Sequence, residues 1–359
     1  MLLETECINV ASLDADGRER AIRRAGCIIR EGGLVAFPTE TVYGLGADAM
    51  DGEAAARIYA AKGRPSDNPL IAHIADFDQV EELAARVPED AWKVMEAFWP
   101  GPLTVILPKK AAVPDGTTGG LPTVAIRMPS HPLAAELIRV SGRIIAAPSA
   151  NLSGRPSPTT AAHVYEDMKG RIPLILDGGP VRIGIESTII DMTGDRPLVL
   201  RPGYISPREL SRLCSSEVTV DPAVASKTMQ THIKAKAPGM KYRHYAPKGQ
   251  LTLVEGPTDA VTAAINDLTS RDREEGHRVG VISTEETRSA YHADVVKSVG
   301  SREHPETIAA GLYRILRDMD EAGCDRIYSE SFYDENLGEA IMNRLLKAAG
   351  YRRLQVGSE

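Results

Sequence analysis

Two cations two residues apart are the first groups that could do chemistry: Lys62 and Arg64, in Lys62-Gly63-Arg64-Pro65-Ser66-Asp67-Asn68-Pro69-Leu70. Arginine grips anionic oxygens through a planar fork and lysine meets them as a point charge, so such a loop suits a phosphate chain. The alternative is a solvated helix C-terminus, where the helix dipole favours both residues. A second polar cluster, Pro148-Ser149-Ala150-Asn151-Leu152-Ser153-Gly154-Arg155-Pro156-Ser157, follows the apolar run Ile144-Ile145-Ala146-Ala147. Small hydroxyls and an amide at a strand end can bind phosphate without crowding it, but the same residues also serve as N-caps and turns. Arg127 ends the run Thr123-Val124-Ala125-Ile126. It needs an anionic partner, either a substrate carboxylate or a carboxylate of the protein itself. Glu186-Ser187-Thr188 and Arg201-Pro202-Gly203 add polar groups beside short apolar runs. His73 lies in Ile71-Ala72-His73-Ile74, where a satisfied core histidine is the commoner outcome.

Other chemistries find less support. Gly44-Leu45-Gly46-Ala47-Asp48-Ala49 matches the relaxed dinucleotide fingerprint G-x-G-x-x-A. Residues Pro38 to Tyr43 intervene where a strand should turn directly into a helix, so tight-turn glycines account for the match better. No G-x-x-x-x-G-K-[ST] occurs, which excludes a P-loop at the motif level. Cys7, Cys27, Cys214 and Cys324 form no C-x-x-C pair, so neither a zinc site nor a disulfide framework is expected, and a cytoplasmic protein with reduced thiols is. No convincing Ser-His-Asp or Cys-His set is present.

The elements that must position these groups are those of an α/β protein. With about 100–200 residues per domain, the 359 residues predict two domains. Residues 1–210 read as one large mixed unit, with buried strands at Leu34–Phe37, Leu103–Leu107, Ile144–Ala147 and Leu174–Leu176 and helices such as Glu53–Ala61 and Pro132–Val140. Residues 211–248 read as a basic linker or lid: from Pro222 to Val254 the only charged residues before Val254 are cationic, Lys227, Lys234, Lys236, Lys241, Arg243 and Lys248. Such a run is either a solvated tether or a segment that covers a polyanion. Residues 249–359 predict a smaller doubly wound domain, with strands near Leu251–Val254, Val279–Ile282, Ala293–Val296 and Arg326–Tyr328. Ile308, Leu312, Ile315 and Met319 recur there at helical spacing and give one apolar face. This domain carries no catalytic constellation. A formal charge of −7, from 42 Lys plus Arg against 49 Asp plus Glu, predicts no wholesale attraction to nucleic acid, although a local basic patch leaves room for a weak tRNA contact. No run approaches the roughly 18 apolar residues of a membrane span.

Taken in order, Phe37-Pro38-Thr39-Glu40-Thr41-Val42-Tyr43-Gly44-Leu45, Lys62-Gly63-Arg64, Trp99-Pro100-Gly101-Pro102-Leu103-Thr104, Pro148-Ser149-Ala150-Asn151 and Glu186-Ser187-Thr188 closely resemble the YrdC-like family. Pro238-Gly239-Met240-Lys241-Tyr242-Arg243-His244-Tyr245-Ala246-Pro247 and the terminal α/β domain resemble its two-domain branch, the threonylcarbamoyl-AMP synthases. The resemblance covers nearly the whole chain. It implies a twisted, open-sheet first domain enclosing a central cationic cavity, and a Rossmann-like second domain. The implied reaction joins L-threonine, bicarbonate and ATP into threonylcarbamoyl-AMP and pyrophosphate. A separate transferase complex would then carry the group to the adenosine beside the anticodon of certain tRNAs.

Carried over by position, the K-x-R and S-x-N signatures are Lys62 with Arg64 and Ser149 with Asn151, the residues the resemblance places closest to the chemistry. Arg64, Asn68, Thr123, Ser149, Ser157 and Arg201 would hold ATP, with Mg2+ brought by the nucleotide, and Tyr245 would close over it. Thr41, His73, Arg127 and Ser187 would hold threonine. Ala147 stands where some relatives have a threonine, so only its backbone could serve there. The alternatives are an RNA-binding protein using the same concave basic surface and a carbamoyltransferase of hydrogenase maturation, which shares the YrdC-like domain.

Overall fold

Short runs of Val, Ile, Leu and Ala that lack an alternating polar face become strands buried on both sides. The computed structural model describes residues 3–225, 237, 244–334 and 337–357. It divides into two units, the first running through Ser153 and Ser157–Ala225, the second taking in Gly154–Pro156 and the described residues from His244 onward.

In the first unit the strands are β1 (Glu6–Asn9), β2 (Val35–Pro38), β3 (Tyr43–Asp48), β4 (Ile71–His73), β5 (Leu103–Pro108), β6 (Thr123–Arg127), β7 (Ile145–Ala146), β8 (Leu174–Asp177), β9 (Thr188–Asp191), β10 (Leu198–Arg201) and β11 (Thr219–Val220). They form one mixed sheet in the order β1-β8-β2-β3-β7-β4-β6-β5-β9-β10-β11. The parallel pair β4–β6 sets His73 against Arg127 in register. The antiparallel pair β5–β6 and the parallel pair β5–β9 bring Arg127, Leu103 and Thr188 to neighbouring strands.

One expectation fails here. Gly44 and Gly46 sit in no turn but inside β3, between β2 and β7. A Cβ on Gly46 would lie 2.7 Å from both Ile145 Cγ2 and Phe37 Cε1, so its glycine answers to close approach of neighbouring side chains. Helix Gly52–Lys62 begins on Asp51, whose side chain accepts from Glu53 N, and ends at Gly63 with φ 60. Only a residue at ease in the left-handed region ends a helix so cheaply. Ile58 and Tyr59 of this helix pack with Leu45, Leu103 and Val105 in the main core.

Strand β11 pairs with β10, so the first unit continues past residue 210, where the sequence reading placed its end. Of the expected linker, Lys227, Lys234, Lys236, Lys241 and Arg243 lie outside the described residues. Ala237 is described, and it is buried in a cluster with Ile71, Ile106, Ala125, Ile189 and Leu200.

The second unit holds β12 (Gln250–Glu255), β13 (Val279–Ser283), β14 (Val295–Ser298), β15 (Arg326–Glu330) and β16 (Arg353–Gln355), all parallel, in the order β14-β13-β15-β12-β16. Ile308, Leu312, Ile315 and Met319 are all buried on helix Pro305–Glu321, as their spacing predicts. Helix Gly338–Ala348 and β16 complete the fold beyond the expected elements. Among the described residues no helix is long and apolar enough to cross a membrane.

Candidate active site

Arg127 is 4% exposed, and its guanidinium spends donors on three neighbours. Nη2 pairs with Glu40 Oε1 at 2.6 Å, Nη1 donates to Thr41 Oγ1 at 2.9 Å, and Nε donates to Gly101 O at 3.3 Å. Glu40 is itself buried, and its Oε2 accepts from Ser130 N at 3.2 Å. Of the two options raised for Arg127, the structure shows the carboxylate of the protein itself, in a buried ion pair bordered by the Thr41 hydroxyl. The Thr39 hydroxyl lies 2.9 Å from that of Thr41 and donates to Val42 O, which fixes the turn between β2 and β3. His73 Nδ1 donates to Ile71 O at 3.0 Å. Burial first, and then the Arg127 charge, push its pKa down to about 3, so its imidazole is neutral at physiological pH.

Ser187 links a second group. Its hydroxyl lies 2.7 Å from Thr104 Oγ1 and accepts from Arg201 Nη2 at 3.0 Å, while its carbonyl accepts from Arg201 Nε at 3.0 Å. Gly203 makes this possible, because a Cβ there would lie 2.7 Å from the Ser187 carbonyl carbon. Ser157, fully buried, donates to Glu186 Oε1 at 2.6 Å, and Glu186 adjoins Ser187 in the chain. Arg201 and Ser187, assigned by resemblance to different ligands, are thus bonded to each other.

The third group surrounds the S-x-N loop. Lys62 is no solvated helix end: it is 2% exposed, and its ammonium donates to the carbonyls of Ser149 and Asn151. Burial, followed by the Arg64 charge, drives its pKa well below the ordinary lysine value. Ser149 Oγ donates to Asn151 Oδ1. Arg64, half-buried, lays Nη2 over the next loop, 3.2 Å from Pro69 O and 3.4 Å from Asn68 O. Asn68 Oδ1 is buried with no hydrogen-bond partner among the described residues, an orphan acceptor of the kind that ligands or water normally satisfy. Thr123 opens β6 and is half-buried. Ala147 is buried, and its N–H donates to Ile71 O at 2.9 Å. Tyr245 belongs to the second unit, with φ 64 and its ring 5.1 Å from that of Tyr313.

Four groups went unread as site residues. Glu40, Thr104 and Glu186 stood inside quoted motifs; the signal available was a buried arginine or serine in need of a partner. Asp167, on helix Ala161–Met168, had no local signal, yet it is 2% exposed and its Oδ2 accepts from Leu152 N at 3.3 Å. Among the described residues no three His, Cys, Asp or Glu side chains are grouped to hold a metal ion.

Comparison with known proteins follows the same division. Residues 27–203 match the Sua5_yciO_yrdC family, described as Telomere recombination, and residues 205–350 match the threonylcarbamoyl-AMP synthase C-terminal domain. The chain is 53% identical to the threonylcarbamoyl-AMP synthase of Pyrococcus abyssi, over 94% of this chain and 96% of that one. It is 52% identical to the threonylcarbamoyl-AMP synthase of Bacillus subtilis, over 92% and 93%. The crystal structure of P. abyssi Sua5 complexed with L-threonine superposes with a TM-score of 0.91 at 51% identity, covering 98% of this chain and 100% of that one.

Proposed function

The chain belongs to the threonylcarbamoyl-AMP synthase family and makes threonylcarbamoyl-AMP, the first step toward threonylcarbamoyladenosine in tRNA; on that premise we propose how its residues divide the work. The observation that carries the reading is the buried Arg127–Glu40 pair beside the Thr41 hydroxyl. A zwitterionic amino acid offers the two complementary charges: its carboxylate faces Arg127 and its ammonium faces Glu40. Thr41 and Ser187 contribute hydroxyls, and Ala147 its carbonyl. Neutral His73 adds no second positive charge next to Arg127, so the guanidinium alone answers the carboxylate.

ATP, entering as its magnesium complex, lies on the other side of Ser187. Arg201 and Arg64 meet its anionic oxygens, and Asn68, Thr123, Ser149, Asn151 and Ser157 supply hydrogen bonds. The orphan Asn68 Oδ1 supports this, since a nucleotide amino group would satisfy it. Lys62, with two donors spent on the loop carbonyls, acts through the shape of that loop. The substrate ammonium loses a proton, its nitrogen takes up the carbon of bicarbonate with loss of water, and a carbamate forms. A carbamate oxygen then attacks the α-phosphorus as the bond to the β-phosphate bridge breaks, and pyrophosphate leaves. No side chain of the protein forms a covalent bond in this sequence, so catalysis is positioning and charge stabilisation.

Ala237 is buried among residues of β4, β5, β6, β9 and β10. The product passes to a separate tRNA threonylcarbamoyl-transferase complex. Four free cysteines fit the reducing cytoplasm. Pyrophosphate release from ATP and bicarbonate, measured with each amino acid in turn, tests the reading. Release should require threonine; release indifferent to the amino acid would overturn it.

A further inference from the structure

The Ser149–Ser153 loop is held at alternating points by groups that are not its own. Lys62 takes the carbonyls of Ser149 and Asn151 with its ammonium, and its own carbonyl accepts from Ser153 N at 2.9 Å. Ala150 N donates to Tyr43 O at 2.8 Å, and the amide of Leu152 donates to the buried carboxylate of Asp167. We infer that Asp167 is a positioning residue for the nucleotide loop, pinning the Leu152 amide while its charge keeps the Lys62 ammonium in place beneath the Ser149 and Asn151 carbonyls. The inference rests on the reading of that loop as part of the ATP seat.

The electrostatics point the same way. Lys62 is withdrawn from water and stands near Arg64, both of which disfavour its charge, and Asp167 is the counter-charge that favours it. Take the carboxylate away, and a buried ammonium is left facing a like charge, with carbonyls alone to stabilise it. The loop then loses one amide anchor and the strength of two carbonyl anchors. Asp167 touches no reacting atom; it sits on a helix that carries no residue of the proposed substrate sites. Its effect should therefore fall on one substrate and spare the other.

The test uses the full chain with Asp167→Asn, Lys62→Met and the double variant. An asparagine keeps an acceptor for Leu152 N and removes only the charge. Hydrogen exchange of the 149–153 amides should quicken about tenfold in Asp167→Asn, and the KM for ATP should rise about tenfold, with the KM for threonine within about twofold of normal. In the double variant the two effects should fail to add, because Asp167 works through Lys62. Normal loop exchange with a normal KM for ATP, or additive effects, would overturn the inference. If Asp167→Asn does not fold, recovery of folding in the double variant supports the paired charges, and continued failure assigns Asp167 to the general core and overturns it. Ser149→Ala separates the two levels: an unchanged KM for ATP there defeats the nucleotide reading, while the exchange data on Asp167→Asn still decide whether the carboxylate anchors the loop.

Discussion

Both units gather polar side chains at the ends of buried strands, but they use them differently. In the second unit the chain leaves β13 toward β14 and leaves β15 toward β16, so the neighbours β13 and β15 flank the point where doubly wound sheets usually bind ligands. There Glu330, 2% exposed, pairs with Arg302, accepts from Thr287 and accepts from Tyr291 at 2.7 Å. These polar groups bond to one another. In the first unit Arg127 is bordered by the Thr41 hydroxyl, and Asn68 Oδ1 has no partner among the described residues. A polar network that satisfies its members rigidifies a fold, whereas one left with open acceptors awaits a ligand.

The widest separation between the units should come from Arg127→Ala. It leaves Glu40 buried without its cation, which costs about 3–5 kcal/mol, and threonine-dependent pyrophosphate release should fall about 10²–10³-fold. A thermal melt beside the rate assay distinguishes lost substrate binding from lost fold. Next, Arg64→Ala should slow turnover about 10²-fold, the scale of one electrostatic donor; near-normal single-turnover rates would remove Arg64 from the phosphates.

A smaller effect concerns acid. The folded-state pKa of His73 is depressed to about 3 from its ordinary value of 6.5, so the unfolded chain takes up a proton that the folded chain refuses. Stability from this group is complete above pH 6.5 and drains as the pH falls toward 3, by about 2 kcal/mol at pH 5. Urea unfolding at pH 7 and pH 5 should show that loss in the wild type and a reduced loss in His73→Gln. The smallest effect sharpens the contrast from the other side. Glu330→Gln should lower stability by about 1–2 kcal/mol and leave the synthesis rate within about twofold of normal. A collapsed rate with an intact melt would make the second unit's network functional, and the distinction between the units would fail.

The parts of this molecule that were legible in sequence are those whose signal is local. Leu103–Leu107 is an apolar run and is a strand; Ile308, Leu312, Ile315 and Met319 share a face and are buried together. β3 was hidden because two glycines read as turn formers, when Gly46 answers to Phe37 and Ile145 on the adjacent strands. β7 contributes only two residues, and β16 is an arginine-bearing edge with no apolar alternation. At the site, Arg127 and Ser187 were visible because a polar residue in an apolar run is conspicuous. Their partners were not, since Glu40 finds Arg127 across 87 positions of chain and Glu186 reaches Ser157 across 29. Lys62 shows the same limit: its type announced a cation, but only the packing shows that its charge is turned toward the backbone.

Gly63 separates Lys62 from Arg64 with a single left-handed residue, and a Cβ added there would meet no atom within 4 Å. The corner is thus a torsional one, independent of steric fit. Adjacent cations would otherwise compete for the same anion; one reversed dihedral sends one charge inward as scaffolding and leaves the other over the neighbouring loop. An alanine at that corner has room to sit, so its penalty is the roughly 1–2 kcal/mol of an unfavourable φ, and whatever changes in the guanidinium's aim reports on that angle alone.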